Sequence, residues 1–334
     1  NSYSVTWVAI FGILPAVLLA IVKVSYPATI QAGLKRRSLF VLGSFILAML
    51  LFALNFRTLS LLSRHTPVPQ PSEQEQVISP FYPLFSFYNY LERVGLEYIR
   101  PYKQLGLDAK VVSSKSGLVH KPLLLVLVVG EAARTQNFSL NGYQRPTNQF
   151  TQNLGVISFQ DVSACGTITH LVLPCLFSNL NRENFNEIVA KRQDGLLDIL
   201  QHAGLSLLWR DNDDSCKTVC DRIPHESIGY QYDQELIKNI TGRTKKMSGD
   251  RVIVLHMRGS HAEYYRRYPR AHRYFKPDCR KSGLFSGLSQ CSKDEITNAY
   301  DNTILYTDYF LSLLIKKLTQ QEKSYNTALI YISD

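Results

Sequence analysis

The stretch Leu123-Leu-Leu-Val-Leu-Val-Val129-Gly130-Glu131-Ala-Ala-Arg134 decides the fold. An unbroken aliphatic run with no polar alternation reads as a strand buried on both faces, as strands of parallel sheets are. The run ends in a glycine and then a carboxylate. Open α/β sheets bind ligands at the carboxyl ends of their strands, so Glu131 falls where a site is expected. Further strands are read at 205–209, 251–255 and 327–332, and helices at 195–203 and 296–318. That rhythm predicts an α/β fold, a mostly parallel sheet with helices on both faces, and shows no internal repeat.

A second stretch, Ser163-Ala-Cys165-Gly-Thr167-Ile-Thr169-His170-Leu-Val-Leu-Pro174-Cys175, reads as the chemical centre. If its two cysteines pair, the bridge clamps a short loop and the start of the following helix. A threonine hydroxyl at a helix N-terminus meets free backbone N–H groups and the positive end of the helix dipole. Both favour a developing alkoxide and a bound phosphate. The plainer alternative is a stapled loop whose threonine is only an N-cap. Three predicted strands also end in ligating residues: Glu131 after the first, His256 through His261 after the third, and Asp334 after the last. Carboxylate, imidazole and threonine oxygen together suit a zinc site.

Lys plus Arg number 37 against 27 acidic residues, a formal charge of +10 that fits an anionic partner. The cations are scattered, and neither a C2H2 spacing nor an RNP-like aromatic motif occurs, so nucleic acid is excluded. Six cysteines fall into three local pairs, Cys165/Cys175, Cys216/Cys220 and Cys279/Cys291. They read as disulfides of an oxidising compartment. Cys216 and Cys220 also have tolerable spacing for zinc thiolates, although no second Cys or His pair stands at finger-like distance.

Residues 5–22 and 39–56 are apolar enough to span a bilayer. The loop between them carries Lys23, Lys35, Arg36 and Arg37, which places it in the cytoplasm and everything after Phe56 on the opposite side. Residues 66–79 read as a linker, and the aromatic-rich 83–102 as core packing or an amphipathic helix on the membrane face. The expected organisation is two transmembrane helices at 1–56, linker and membrane-proximal helices at 57–120, and a periplasmic catalytic domain at 121–334. No initiator Met is present, so the chain is expected to begin inside a larger membrane domain.

Residues Gly130 through Tyr143 (GEAARTQNFSLNGY) resemble the signature of the lipid A phosphoethanolamine transferases, of the mobile colistin resistance type. Cys165-Gly-Thr-Ile-Thr169 through Ser178 resembles their nucleophile loop. Trp209 through Asp213, Lys217, Asp221 through Pro224, Leu255-His256 with Gly259-Ser260-His261, Tyr300 through Thr303, and Tyr331 through Asp334 also match. The resemblance implies a fold like alkaline phosphatases and sulfatases, preceded by transmembrane helices. It makes Thr169 the nucleophile, Thr167 being the competing position, and Glu131, Thr169 and Asp334 the zinc ligands. It sets Lys217 and His261 by the substrate phosphate. The implied reaction takes phosphoethanolamine from phosphatidylethanolamine to Thr169 and on to a lipid A phosphate, weakening polymyxin and other cationic peptides. The implied location is the Gram-negative inner membrane with a periplasmic catalytic domain, as a monomer.

Four departures from the family pattern stand out. The family's last strand runs on as Ser-Asp-His-Gly-Glu, whereas this sequence stops at Asp334, and the family has further membrane helices upstream. The chain is therefore expected to be part of a longer enzyme and to bind zinc poorly as it stands. His261-Ala262-Glu263 replaces the usual His-Gly-Pro, and Glu263 could add a ligand or raise the histidine pKa. His170 stands where a small residue is usual, either an extra base or a surface residue. Two rival readings keep the fold: an acceptor on lipopolysaccharide core sugar or periplasmic glucan, and a non-catalytic membrane-tethered module. A sulfatase reading fits less well, since those enzymes use a modified Cys or Ser where Thr169 stands.

Overall fold

The computed structural model describes residues 101–112, 121–281 and 288–334, with Tyr90 and Gly95. The expected membrane helices at 5–22 and 39–56, the linker at 66–79 and nearly all of 83–102 lie outside the described residues. Among the described residues, no helix is long and apolar enough to cross a membrane. The chain divides into two compact units, Asn1–Gly95 and Leu96–Asp334, and the account below concerns the second.

Five parallel strands form one sheet in the order β3-β2-β4-β1-β5. They are β1 (Leu123–Gly130), β2 (Ser206–Asp211), β3 (His225–Ser227), β4 (Arg251–His256) and β5 (Asn326–Ser333). The aliphatic run of β1 lies between β4 and β5, as its lack of alternation requires. Its pleat sends Leu124, Val126 and Val128 to one face, where they meet Ile253, Leu255 and the long helix α5 (Lys293–Thr319) through Phe310, Leu314 and Leu318. Val129 turns to the other face, with Val252, Val254 and Trp209. There they pack on α1 (Thr169–Phe177) and α3 (Leu196–His202) through Leu173, Phe177 and Leu197. The short helices α2 (Glu187–Lys191) and α4 (Ile240–Lys246) complete the layers. Burying each such side chain is worth about 1.5–3 kcal/mol, so the two apolar layers hold the sheet between them.

The sequence reading differs from this fold in instructive places. Strand β2 runs on through Arg210 and Asp211, both buried and polar. Arg210 is held by Glu226 at 2.6 Å and by the Leu236 carbonyl, and Asp211 by Trp209, so neither ends the strand. Helix α5 starts three residues before the expected position because Ser292 and Glu295 form a capping box. The Ser292 hydroxyl accepts from the Glu295 amide at 3.2 Å, and the Glu295 carboxylate accepts from the Ser292 amide at 2.8 Å. Strand β3 and helices α2 and α4 went unread, being too short to show a period. Residues 101–112, expected within the linker and membrane-proximal helices of 57–120, carry no helix. The hydroxyl of Tyr102 and the amide of Leu105 both donate to Asp194, which ties this stretch to the α/β unit.

All three expected cysteine pairs are disulfides: Cys165–Cys175, Cys216–Cys220 and Cys279–Cys291. The Cys216 and Cys220 sulfurs are bonded to each other, so Cys216, Cys220 and Asp221 do not make a thiolate metal site. The third bridge serves the fold rather than the chemistry. Cys291 is half-buried and immediately precedes the Ser292 cap of α5, while Cys279 is buried and its amide donates to the Glu295 carbonyl at 2.9 Å. Cys279 and Cys291 therefore fasten the 279–291 loop to the first turn of α5.

Candidate active site

The carboxyl ends of β1 and β5 lie side by side, with Gly130 opposite Ser333 in the register. The next residues along the two strands are Glu131 and Asp334, which brings both carboxylates to one edge of the sheet. Alternation continues the pleat: Val129 faces the α1 layer, so Glu131 is due on that face too. On β5 the odd residues Leu329 and Tyr331 pack toward α5, which leaves Asp334 for the α1 side. The turn after β1 is tight. Ala132 sits at φ +53, its amide donates to Asp334 Oδ1 at 2.9 Å, and the Asp334 amide donates to the Gly130 carbonyl at 3.2 Å. Gly130 admits no side chain, because a Cβ there would lie 2.5 Å from the Tyr331 hydroxyl.

Thr169 is the first residue of α1, with extended Ile168 as its N-cap. Thr169, Leu173 and Phe177 are spaced at four residues, so the stripe that packs Leu173 and Phe177 on the sheet also aims Thr169 at its edge. The Thr169 hydroxyl donates to Glu131 Oε2 at 2.9 Å. Thr167, the competing position, is exposed. The Cys165–Cys175 bridge ties the approaching loop to the last turn of α1 rather than to its start, with Cα atoms 6.4 Å apart.

Glu131 is buried, and its carboxyl is pushed up to about 8. Burial is the largest cause, followed by the charge and hydrogen bond of Asp334, while the Thr169 hydroxyl works the other way and Asp213 adds further repulsion. Among the described residues no Lys, Arg or His forms an ion pair with Glu131 or Asp334. Two crowded acids beside a hydroxyl, with no cation of the chain's own, are a donor set that fits a divalent cation.

The loop after β4 is pressed against Glu131. The Ser260 amide donates to the Glu131 carbonyl at 2.8 Å, and a Cβ on Gly259 (φ +44) would meet that same carbonyl at 2.7 Å. His261 follows directly, half-buried, its Nδ1 3.5 Å from the Ala262 carbonyl. Lys217 lies on the Cys216–Cys220 loop with its ammonium on the Asp214 carbonyl at 3.1 Å. No hydrogen bond or ion pair links Lys217 or His261 to the Glu131–Thr169–Asp334 cluster among the described residues. His170 is engaged by Glu187 at 2.5 Å and Lys191 at 3.1 Å, a tie between α1 and α2. Glu263 pairs with Arg266 at 3.3 Å.

Several motif residues prove to be scaffolding. Tyr300 accepts from the Arg134 amide and donates to the Ala132 carbonyl, each at 2.8 Å, bracing the turn that holds Glu131. Asp301 gathers Asn137, Tyr143 and Arg145. Thr303 donates to Ser260 at 2.7 Å. Asp211 accepts from Trp209 at 2.9 Å and lies 3.2 Å from His256 Nδ1. Burial alone would raise its carboxyl, yet these partners hold it below the ordinary range. Sequence reasoning missed Asp233, a fully buried carboxylate that accepts from the amides of Arg258 and Gly259 and from Asn212. It belongs to no motif, so only the fold reveals it.

An α/β domain with ligating groups along one strand edge defines a class, and comparison with known proteins agrees. The sulfatase family profile matches residues 124–334, and that of the N-terminal region of phosphoethanolamine transferases EptA/EptB matches residues 1–94. The chain belongs to the phosphoethanolamine transferases of this sulfatase class. It is 34% identical to phosphoethanolamine transferase EptA of Escherichia coli K12 over 97% of the chain and 59% of that protein. With phosphatidylethanolamine transferase Mcr-1 of Escherichia coli it shares 32% identity, over 97% of the chain and 62% of the relative. It thus spans about three fifths of the length of these relatives. The solved integral membrane lipooligosaccharide phosphoethanolamine transferase A of Neisseria meningitidis superposes with a TM-score of 0.71 at 32% identity, over 99% of this chain and 61% of that one. The C-terminal periplasmic domain of EptC from Escherichia coli, solved in complex with Zn, gives a TM-score of 0.54 at 25% identity, over 67% and 66%.

Proposed function

We propose that this chain carries the catalytic unit of a membrane-anchored enzyme that moves phosphoethanolamine from phosphatidylethanolamine to a lipid A phosphate through a phospho-threonine. The observation that carries this reading is the Thr169 hydroxyl, at the head of α1 and hydrogen-bonded to buried Glu131 beside Asp334. In the first half-reaction Thr169 Oγ1 forms a bond to the donor phosphorus while the bond to the diacylglycerol oxygen breaks. The threonine proton passes toward Glu131 Oε2, the acceptor it already faces, and the departing oxygen takes up a proton. In the second half-reaction a lipid A phosphate oxygen bonds to phosphorus, the bond to Thr169 Oγ1 breaks, and the threonine oxygen takes its proton back from Glu131. The first-turn amides of α1 face developing negative charge. Lys217 and His261 close on the phosphate oxygens when substrate is bound. Glu131, Thr169 and Asp334 would hold zinc, which lowers the pKa of the hydroxyl and steadies charge on the phosphoryl oxygens. The names of the Neisseria and Mcr-1 relatives support the acceptor and donor classes, and the zinc-bound EptC domain supports the metal.

Residues 1–56 belong to the inner-membrane anchor, the catalytic unit lies in the periplasm, and the modified surface resists polymyxin. The test is intact-lipid mass spectrometry on cells expressing the complete protein, wild type beside Thr169→Ala. Wild-type cells gain one phosphoethanolamine on lipid A and tolerate more polymyxin, and Thr169→Ala cells do neither. A gain on core sugar in place of lipid A, or modification that survives Thr169→Ala, overturns the reading.

A further inference from the structure

After β2 the chain makes a loop that its own residues disfavour. Ser215 stands at φ +112, Lys217 at +49 and Thr218 at +77, all in the left-handed region, and none of them is glycine or asparagine. A Cβ crowds the backbone there, most of all on β-branched threonine, so the conformation persists only where its surroundings over-determine it. The Cys216–Cys220 disulfide encloses Lys217 and Thr218 and follows Ser215 directly. Within the bridge the Val219 amide donates to the Cys216 carbonyl at 3.0 Å, and the Cys220 amide points at Cys216 Sγ, 3.1 Å away. The Lys217 ammonium donates back to the Asp214 carbonyl at 3.1 Å.

The same bridge sets where the loop stands. Cys216 and Cys220 are buried, in one apolar layer with Trp209 of β2 and with Leu173 and Phe177 of α1. Those two α1 residues are the ones that seat Thr169 at the sheet edge. Thr218 and Val219 line one small cavity together with Pro174 and Phe177 of α1. At the entry to the loop the Asp213 amide donates to Asp211 Oδ1 at 2.8 Å, and the Asp213 charge reaches Glu131. The loop is thus pinned between the elements that carry Thr169 and Glu131.

We propose that the Cys216–Cys220 disulfide is a positioning device for Lys217. It keeps residues 215–218 in their left-handed turn and fixes that turn against α1, so that the ammonium has one place from which to reach a phosphate oxygen at Thr169. The inference deepens the transfer reaction proposed above and rests on the phosphate-binding part given there to Lys217. Loop length argues that stability is not the main task of this bridge. Its sequence separation is 4, against 10 and 12 for the other two. A shorter closed loop restricts the unfolded chain less, so what this bridge constrains is local conformation, and the lysine lies inside it.

The experiment compares the complete protein carrying Cys216→Ala/Cys220→Ala with Lys217→Ala and with the triple variant, using vesicle-borne donor. Bridge removal is expected to raise KM about tenfold with kcat held within about twofold, as Lys217→Ala does. The triple variant is expected to be no worse than either parent, since both changes remove the same contact. An unchanged KM overturns the proposal, and so do losses that multiply in the triple variant or that only follow a fallen folded fraction in thermal unfolding. Thr218→Pro, which keeps the bridge but forces φ out of the left-handed region, is expected to raise KM in the same way, and a wild-type KM there overturns the proposal even if the bridge variant fails to fold. Hydrogen exchange supplies a readout besides activity: removing the bridge is expected to speed exchange at 213–220 about fivefold and to leave 169–177 unchanged. Equal exchange with and without the bridge overturns the proposal. If wild-type protein transfers nothing, the transferase reading fails, while the exchange result still decides whether the bridge holds the loop.

Discussion

Two acidic pairs in this unit, Asp194 with Asp198 and buried Glu131 with half-buried Asp334, are treated by the chain in opposite ways. Asp194, just before α3, and Asp198, in its first turn, are buried and surrounded by donors. Arg222 clasps Asp198 with two 2.7 Å hydrogen bonds, and Tyr102, the Leu105 amide and His202 all serve Asp194. Burial alone would raise the Asp194 carboxyl, yet those donors bring it below the usual carboxylate range. Glu131 and Asp334 have a hydroxyl and a backbone amide, and Glu131 is driven upward. A buried charge is tolerated when the fold supplies its partner. A pair left short of positive charge suits a cationic ligand, and in this unit it lies where two parallel strands end beside a helix N-terminus.

Exchanging the two treatments tests this comparison. The largest effect is expected at the uncompensated pair: Glu131→Gln should lower transfer by about 1,000-fold and abolish stoichiometric zinc binding, read by metal analysis of the complete protein. Its thermal midpoint without metal should not fall, because the variant removes a repulsion. At the compensated pair, Arg222→Met should cost about 3 kcal/mol in denaturant unfolding by leaving Asp198 without its cation. The folded fraction should keep its kcat within about twofold. If the Arg222 variant loses activity at full stability, the division between the pairs fails.

The pairs should also part with pH. Glu131 has a folded pKa above its unfolded one, so its contribution is complete below the ordinary carboxylate range and is lost as pH rises toward about 8. Metal-stripped protein should therefore melt about 5 °C lower at pH 8 than at pH 5, and zinc should remove the difference. Asp194 runs the other way, its stabilisation present above the ordinary range and lost as pH falls through its depressed value. The smallest effect is expected at Lys217→Ala, about tenfold in kcat/KM carried mainly by KM, measured with vesicle-borne donor. A loss as large as that of Thr169→Ala would move Lys217 from phosphate binding to the chemistry.

Much of this could be read from one dimension. The aliphatic run before Gly130 implied a parallel strand and a site at its end, because a side chain with no polar neighbour in alternation must be covered on both faces. Local cysteine spacing implied the three disulfides, and Thr169 stood out within its bridge. That spacing did not tell which bridge adjoins the candidate site: Cys165–Cys175 lies on α1, the helix that carries Thr169, whereas Cys279–Cys291 only fastens a loop to α5. Asp233 could not be seen. It sits in an ordinary polar stretch, and its weight comes from three N–H groups that two other loops bring to it.

The sequence by itself determined the longer elements, the cysteine pairings and the residue types that stand at the strand ends. Tertiary structure showed how Glu131, Thr169 and Asp334, grouped in the sequence only by family resemblance, come to one edge. Register places Gly130 opposite Ser333, pleat turns Glu131 and Asp334 toward α1, and the Leu173–Phe177 stripe brings Thr169 onto Glu131. The physical reason is range. Strand and helix propensities act between residues a few positions apart, whereas the charge left unpaired at this edge depends on which distant segments the packed sheet brings within hydrogen-bonding distance.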